Sequence, residues 1–201
     1  MPINKNLKLG FIHIPKTAGT TVETALDMKS LDCFYSLAPL PGYEVCPQHF
    51  RLSELYNLVS KPDSYSWFTI VRNPFDRVVS EYHYMLKYKA YHPKFRNISF
   101  SDFIKFCVTM PAHKRQVSFD RHLEPQSFFI DLNVPMNVFR YENLQELFIW
   151  LNDITARDLQ FLRCLPSDRE KDYKHYFNDS ELVDIVTDVY AEDMSKFGYT
   201  Y

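Results

Sequence analysis

An apolar run, Leu9-Gly10-Phe11-Ile12-His13-Ile14, leads straight into Pro15-Lys16-Thr17-Ala18-Gly19-Thr20-Thr21, and a helix-like stretch from Val22 to Met28 follows. A buried strand that turns through a short loop into a helix restricts the chain to a sheet covered by helices. The loop holds one lysine, one glycine and three hydroxyls. Backbone N–H groups at a helix start lack intrahelical partners, and the macrodipole adds positive charge there, so the segment predicts an anion cradle. Lys16 adds a full charge at its mouth. With only 4 glycines in the chain, Gly19 marks a close backbone approach or a positive φ.

The loop is not that of a nucleoside-triphosphatase. There the lysine follows the second glycine; here Lys16 precedes Gly19 and the first glycine is missing. A second anion-binding element lies at Phe68-Thr69-Ile70-Val71-Arg72-Asn73-Pro74-Phe75-Asp76-Arg77-Val78-Val79-Ser80-Glu81-Tyr82. A β-branched strand ends at Arg72. Asn73 suits an N-cap and Pro74 a first helical position, which predicts a helix to about Tyr88. Arg72 at the strand end and Ser80 on the helix suit a second phosphate.

Together these two segments resemble the sulfotransferases that use 3′-phosphoadenosine 5′-phosphosulfate (PAPS), and within them the carbohydrate branch that includes heparan sulfate 2-O-sulfotransferases and bacterial relatives. Arg121-His122-Leu123-Glu124-Pro125-Gln126-Ser127 resembles that branch's His-x-x-Pro-Gln segment. Val138 to Leu144 resembles its strand-to-turn, and Tyr173 to Tyr199 its terminal helix.

At 201 residues, 46% hydrophobic and 16% aromatic, the chain has the size and composition of one globular domain over 1–201. Its net charge of −2 gives no global pull toward nucleic acid or anionic membrane, so any anion site is local. No apolar run approaches the roughly 18 residues of a membrane span, and the first residues lack a signal-peptide pattern. A cytoplasmic enzyme is the expectation. The four cysteines are widely spaced and read as buried or unpaired thiols, with Cys33 and Cys46 the one nearby pair. The histidines show no metal-ligand spacing.

The expected fold is α/β: a P-loop-like parallel sheet flanked by helices, with a helical and loop insertion at 89–127 and a helical C-terminal part. Strands are expected at 66–71 and 137–141. Helices are expected at 74–88, 101–110, 143–151, 155–163 and 179–195, with a shorter one before Ser60 that Ser53 caps. Asn178 and Glu181 suit a capping box for the last. The insertion is aromatic and basic; it reads either as a packed surface excursion or as an acceptor-binding lobe.

The resemblance implies sulfuryl transfer from PAPS to a hydroxyl, of a carbohydrate above all, with adenosine 3′,5′-bisphosphate as the other product and no metal required. Lys16 takes the family position beside the leaving oxygen. Thr17, Ala18, Gly19, Thr20 and Thr21 would hold the 5′-phosphate and sulfate, Arg72 and Ser80 the 3′-phosphate. Ser167, Arg169 and Lys171 stand where the family has further 3′-phosphate contacts. His49 lies in the interval where the branch has its base; His122, Glu23 and Glu54 are the alternatives. His122 and Gln126 would line the acceptor site. His13, inside the apolar run, reads as a core residue, His83, His92, His113 and His175 as surface residues, and Arg77 as structural or solvent-facing. A catalytically silent nucleotide-binding or scaffold protein of the same fold is the rival, and a kinase-like enzyme a third reading. Acceptor identity and oligomeric state stay open.

Overall fold

The computed structural model describes residues 3–29, 36, 38–88, 95, 97–159 and 169–201. In chain order its elements are β1 (Ile3–Asn4), β2 (Leu9–Ile12), α1 (Gly19–Ala25), α2 (Leu52–Leu58), β3 (Ser66–Val71), α3 (Pro74–Tyr88), α4 (Phe100–Asp102), α5 (Ala112–Ser118), α6 (Gln126–Phe129), β4 (Met136–Arg140), α7 (Leu144–Thr155), α8 (Ser180–Val189) and α9 (Ala191–Phe197). The chain divides into two compact units. One comprises Met1–Arg72 and Phe128–Leu165, the other Asn73–Ser127 and Pro166–Tyr201.

The first unit holds a four-stranded sheet in the order β1-β2-β3-β4. β2, β3 and β4 are parallel, as βα alternation requires, whereas β1 pairs antiparallel to β2. The sheet is therefore mixed, not purely parallel. The two-residue β1 returns through a tight turn, which needs no crossover helix. Every residue of β2 is buried, which accounts for its unbroken apolar run. Phe11, Phe68 and Ile70 share one core with Val22 and Leu26 of α1 and Leu147 and Leu151 of α7. Trp67, pointing to the opposite face, meets Tyr56 of α2 with ring centroids 5.4 Å apart. Helices thus cover both faces. Gly10 lies opposite Trp67 in the register, and a Cβ there would run into the indole.

Local signals set the first unit's helix ends. The N-cap position of α2 is Arg51, whose N–H is taken by Glu54 at 2.6 Å. Ser53 is not the cap; its N–H and hydroxyl both go to Asp131, at 2.9 and 2.5 Å. α7 runs on to Thr155 and stops at Ala156 in the left-handed conformation. The helix expected over 155–163 therefore does not begin there, and 160–163 lie outside the described residues.

The second unit is helical around one aromatic and aliphatic core. Phe75, Val78, Val79 and Met85 of α3 meet Phe103, Cys107, Phe119, Leu182, Val186 and Tyr190. Asn73 caps α3 through a bond from the Phe75 N–H at 3.0 Å. The expected 101–110 helix is instead the short α4 followed by a π-helical turn, Phe103–Val108. Asp179, not Asn178, caps α8, accepting from the Glu181 N–H at 3.0 Å. The terminal helix breaks in two at Tyr190, whose fully buried hydroxyl donates to the Leu123 carbonyl at 2.9 Å. Lys89, His92, Lys94 and Arg96 of the basic insertion lie outside the described residues, as do Cys33, Cys164 and Ser167.

Candidate functional site

The Pro15–Thr21 segment leaves the sheet at the C-terminal end of β2, where ligands of parallel sheets bind. Its backbone is unusual at two non-glycine residues: Lys16 and Ala18 have φ of 69° and 73°, in the sparsely populated left-handed region. Gly19, by contrast, has an ordinary φ and is needed for space. A Cβ there would sit 2.5 Å from Cδ2 and Nε2 of His13. Burial alternates along the loop. Thr17, Gly19 and Thr21 are buried, while Lys16, Ala18 and Thr20 are partly exposed. The Thr17 hydroxyl donates inward to the Ile14 carbonyl at 2.8 Å. No side chain caps α1. Lys16 and Thr20, both partly exposed, bring an ammonium and a hydroxyl to the loop, a donor set that suits an anion.

Below the loop is a buried polar cluster. His13 Nδ1 bonds the Glu23 carboxylate, which also accepts from Gln48 Nε2 at 3.1 and 2.9 Å. Burial alone would raise the Glu23 pKa; the charge and hydrogen bond of His13, the Gln48 amide and the charge of His49 overcome it and hold the carboxyl below its usual value. His49 stands on a 3₁₀ turn, Pro47–His49, and its ring meets that of His13 edge to face, centroids 5.4 Å apart. The expectation of a satisfied core histidine at 13 thus holds. Of the other two carboxylates weighed against His49, Glu23 is tied into this cluster and Glu54 into the α2 cap.

Arg72, at the end of β3, is 4% exposed. Its Nη1 donates to the Lys16 carbonyl at 2.8 Å, and its guanidinium lies 3.8 Å from the centroid of the Tyr141 ring. The lysine loop and the arginine strand end, 56 residues apart, are therefore joined directly.

In the second unit, Ser80 is a buried residue of α3. Arg77 is neither solvent-facing nor idle. It is 1% exposed and donates to the carbonyls of His122 and Glu124 at 3.0 and 2.6 Å. Glu81 bonds His122 Nδ1 at 2.8 Å, Arg115 pairs with Glu124 at 2.7 Å, and Asp193 accepts from the backbone N–H groups of Gln126 and Ser127 at 2.7 and 2.8 Å. Gln126 is fully buried, its side chain also directed to Asp193. The His122–Ser127 segment is thus clamped from several sides. Burial, opposed by the Arg77 and Arg115 charges, pushes the Tyr190 phenol up to about 12, which keeps it a donor. Arg169 pairs with Asp76 and Lys171 is exposed. His113 and His175 are exposed, whereas His83 is half-buried, with burial and the Arg169 charge lowering its pKa.

Sequence reasoning missed Gln48, Tyr141, Glu81 and Asp193. Gln48 carried a signal, adjacent to His49 in Cys46-Pro47-Gln48-His49; the others reach their partners across long separations. Among the described residues no helix is long and apolar enough to cross a membrane.

No curated protein and no solved structure matches the chain. A family model described as the sulfotransferase family matches residues 1–200. That match runs over nearly the whole sequence and agrees with a mixed α/β structure whose lysine loop and arginine strand end meet: the chain belongs to the sulfotransferase family.

Proposed function

We propose that the protein transfers a sulfuryl group from PAPS to a hydroxyl of a carbohydrate acceptor, with the Lys16 loop as a P-loop-like cradle for the donor. The observation that carries this reading is the bond from Arg72 to the Lys16 carbonyl, which unites two cationic elements in one anion-binding surface. When bound, PAPS supplies the sulfuryl group on a good leaving phosphate. Lys16 carries the positive charge that stabilises the leaving oxygen as it gains charge. Arg72, immobilised by Tyr141, offers a planar fork suited to phosphate. Thr20 adds a hydroxyl donor. His49, one ring away from the loop floor, takes the acceptor's proton as its oxygen attacks. The resemblance adds Ser80 as a 3′-phosphate contact and His122 as an acceptor contact. With Gln126 buried against Asp193, we assign it to holding the His122 segment.

The test is sulfuryl transfer from labelled PAPS across a panel of saccharides, with release of adenosine 3′,5′-bisphosphate in equal amount. Product with at least one saccharide is the expected result. Bisphosphate binding without transfer to any acceptor would leave a nucleotide-binding protein. Protection from heat by ATP and Mg²⁺ but not by the bisphosphate would overturn the donor assignment.

A further inference from the structure

We propose that His13 is a positioning residue for the transfer site: anchored by Glu23, its ring sets the backbone that carries Lys16, acting through Gly19. The inference rests on the role given to Lys16 above. His13 follows directly on β2, a core residue whose ring is held by buried polar partners as well as by packing. Its Nδ1 is bonded to a fully buried carboxylate, which a second buried side chain, Gln48, holds in place through two contacts. A buried polar network whose members are hydrogen-bonded to one another fixes orientation. Here the orientation turns the far edge of the imidazole toward the loop.

That edge is the floor on which the loop rests. The space a side chain at position 19 would fill is taken by Cδ2, Nε2 and Cε1 of His13, 2.5, 2.5 and 2.6 Å from where its Cβ would lie. The chain reaches Gly19 through Lys16 and Ala18, both left-handed without being glycine. Such conformations persist only where the surroundings over-determine them. Arg72 fixes the loop at the Lys16 carbonyl, Thr17 fixes it at Ile14, and His13 sets its depth at Gly19. His13 therefore decides where Lys16 stands.

A double-mutant cycle between His13→Asn and Lys16→Ala tests this. Asparagine keeps an N–H for Glu23 but lacks the ring edge. In the wild-type background His13→Asn is expected to slow single-turnover sulfuryl transfer about tenfold or more; in the Lys16→Ala background it should change the rate by less than about twofold, because the group it positions is gone. Equal losses in both backgrounds, or a wild-type rate for His13→Asn, overturn the inference and leave the transfer reading standing. A wild-type rate for Lys16→Ala overturns both. Gly19→Ala gives a second measurement that does not require His13→Asn to fold: its added methyl must move the loop off the ring, so transfer should fall with the melting temperature held within a few degrees. Wild-type transfer by Gly19→Ala also overturns the inference.

Discussion

Arg72 holds the lysine loop by its backbone: the guanidinium donates to the carbonyl of Lys16 at 2.8 Å. One cation thereby fixes the site of another. The contact point is an acceptor oxygen of the backbone, so the arginine fixes the loop through its main chain.

Replacing Lys16 by alanine should lower the single-turnover rate by about 10²–10³-fold, the cost of removing one group that stabilises charge in the transition state. Affinity for adenosine 3′,5′-bisphosphate, measured by calorimetry, should change far less. A parallel loss of both would make Lys16 a binding residue.

Arg72→Lys should fail to rescue Arg72→Ala. Lysine keeps the charge but loses the planar fork and the stacking on Tyr141. Tyr141→Ala should weaken bisphosphate binding through the same arginine, by about 0.5–2 kcal/mol, the range of a cation–π contact. Titrations of the three variants check the order.

His49→Ala should lose about 10²–10⁴-fold in turnover, as removal of a positioned general base does, with bisphosphate affinity intact. Full activity in this variant would move the role of base to another residue.

Glu23 makes the stability of the protein sensitive to acid. Its carboxyl is held below the ordinary value of 4.5 when folded, so the unfolded chain binds the proton more readily. The stabilisation is fully present above about pH 4.5 and is lost as pH falls through the lower folded value. Urea midpoints measured downward from neutral pH should fall in that acid range, and the fall should be shallower in Glu23→Gln.

Arg77→Ala should cost about 2–6 kcal/mol of stability, since it strips two buried carbonyls, those of His122 and Glu124, of their donor. Urea unfolding gives the number directly.

Features governed by neighbours in sequence were legible before any coordinates. The Asn73-Pro74 helix start, the strand over 66–71 and the lysine loop each follow from short patterns, and the structure has all three. Gly19 was legible as a constraint but not its cause: the left-handed residues are Lys16 and Ala18, and Gly19 answers to a histidine six positions earlier. Contacts between distant segments left no such trace. Nothing local in Tyr141 marks it as the plate under Arg72, and nothing near Tyr190 announces a helix break there or a hydroxyl that reaches Leu123. The antiparallel β1 is two residues long, too short for any periodicity to register.

Asp193 lies on the last helix of the chain, yet its carboxylate serves two amides 66 and 67 positions earlier. The side chain of Asn73, which caps α3, donates to the carbonyl of Thr200 at 2.9 Å. The final dozen residues are thus a keystone in the second unit's construction. Residues 193 and 200 must be in place before these amides and the start of α3 acquire their partners. A chain shortened to Tyr190 would strand two buried N–H groups at Gln126 and Ser127 and leave the His122 segment without its anchor.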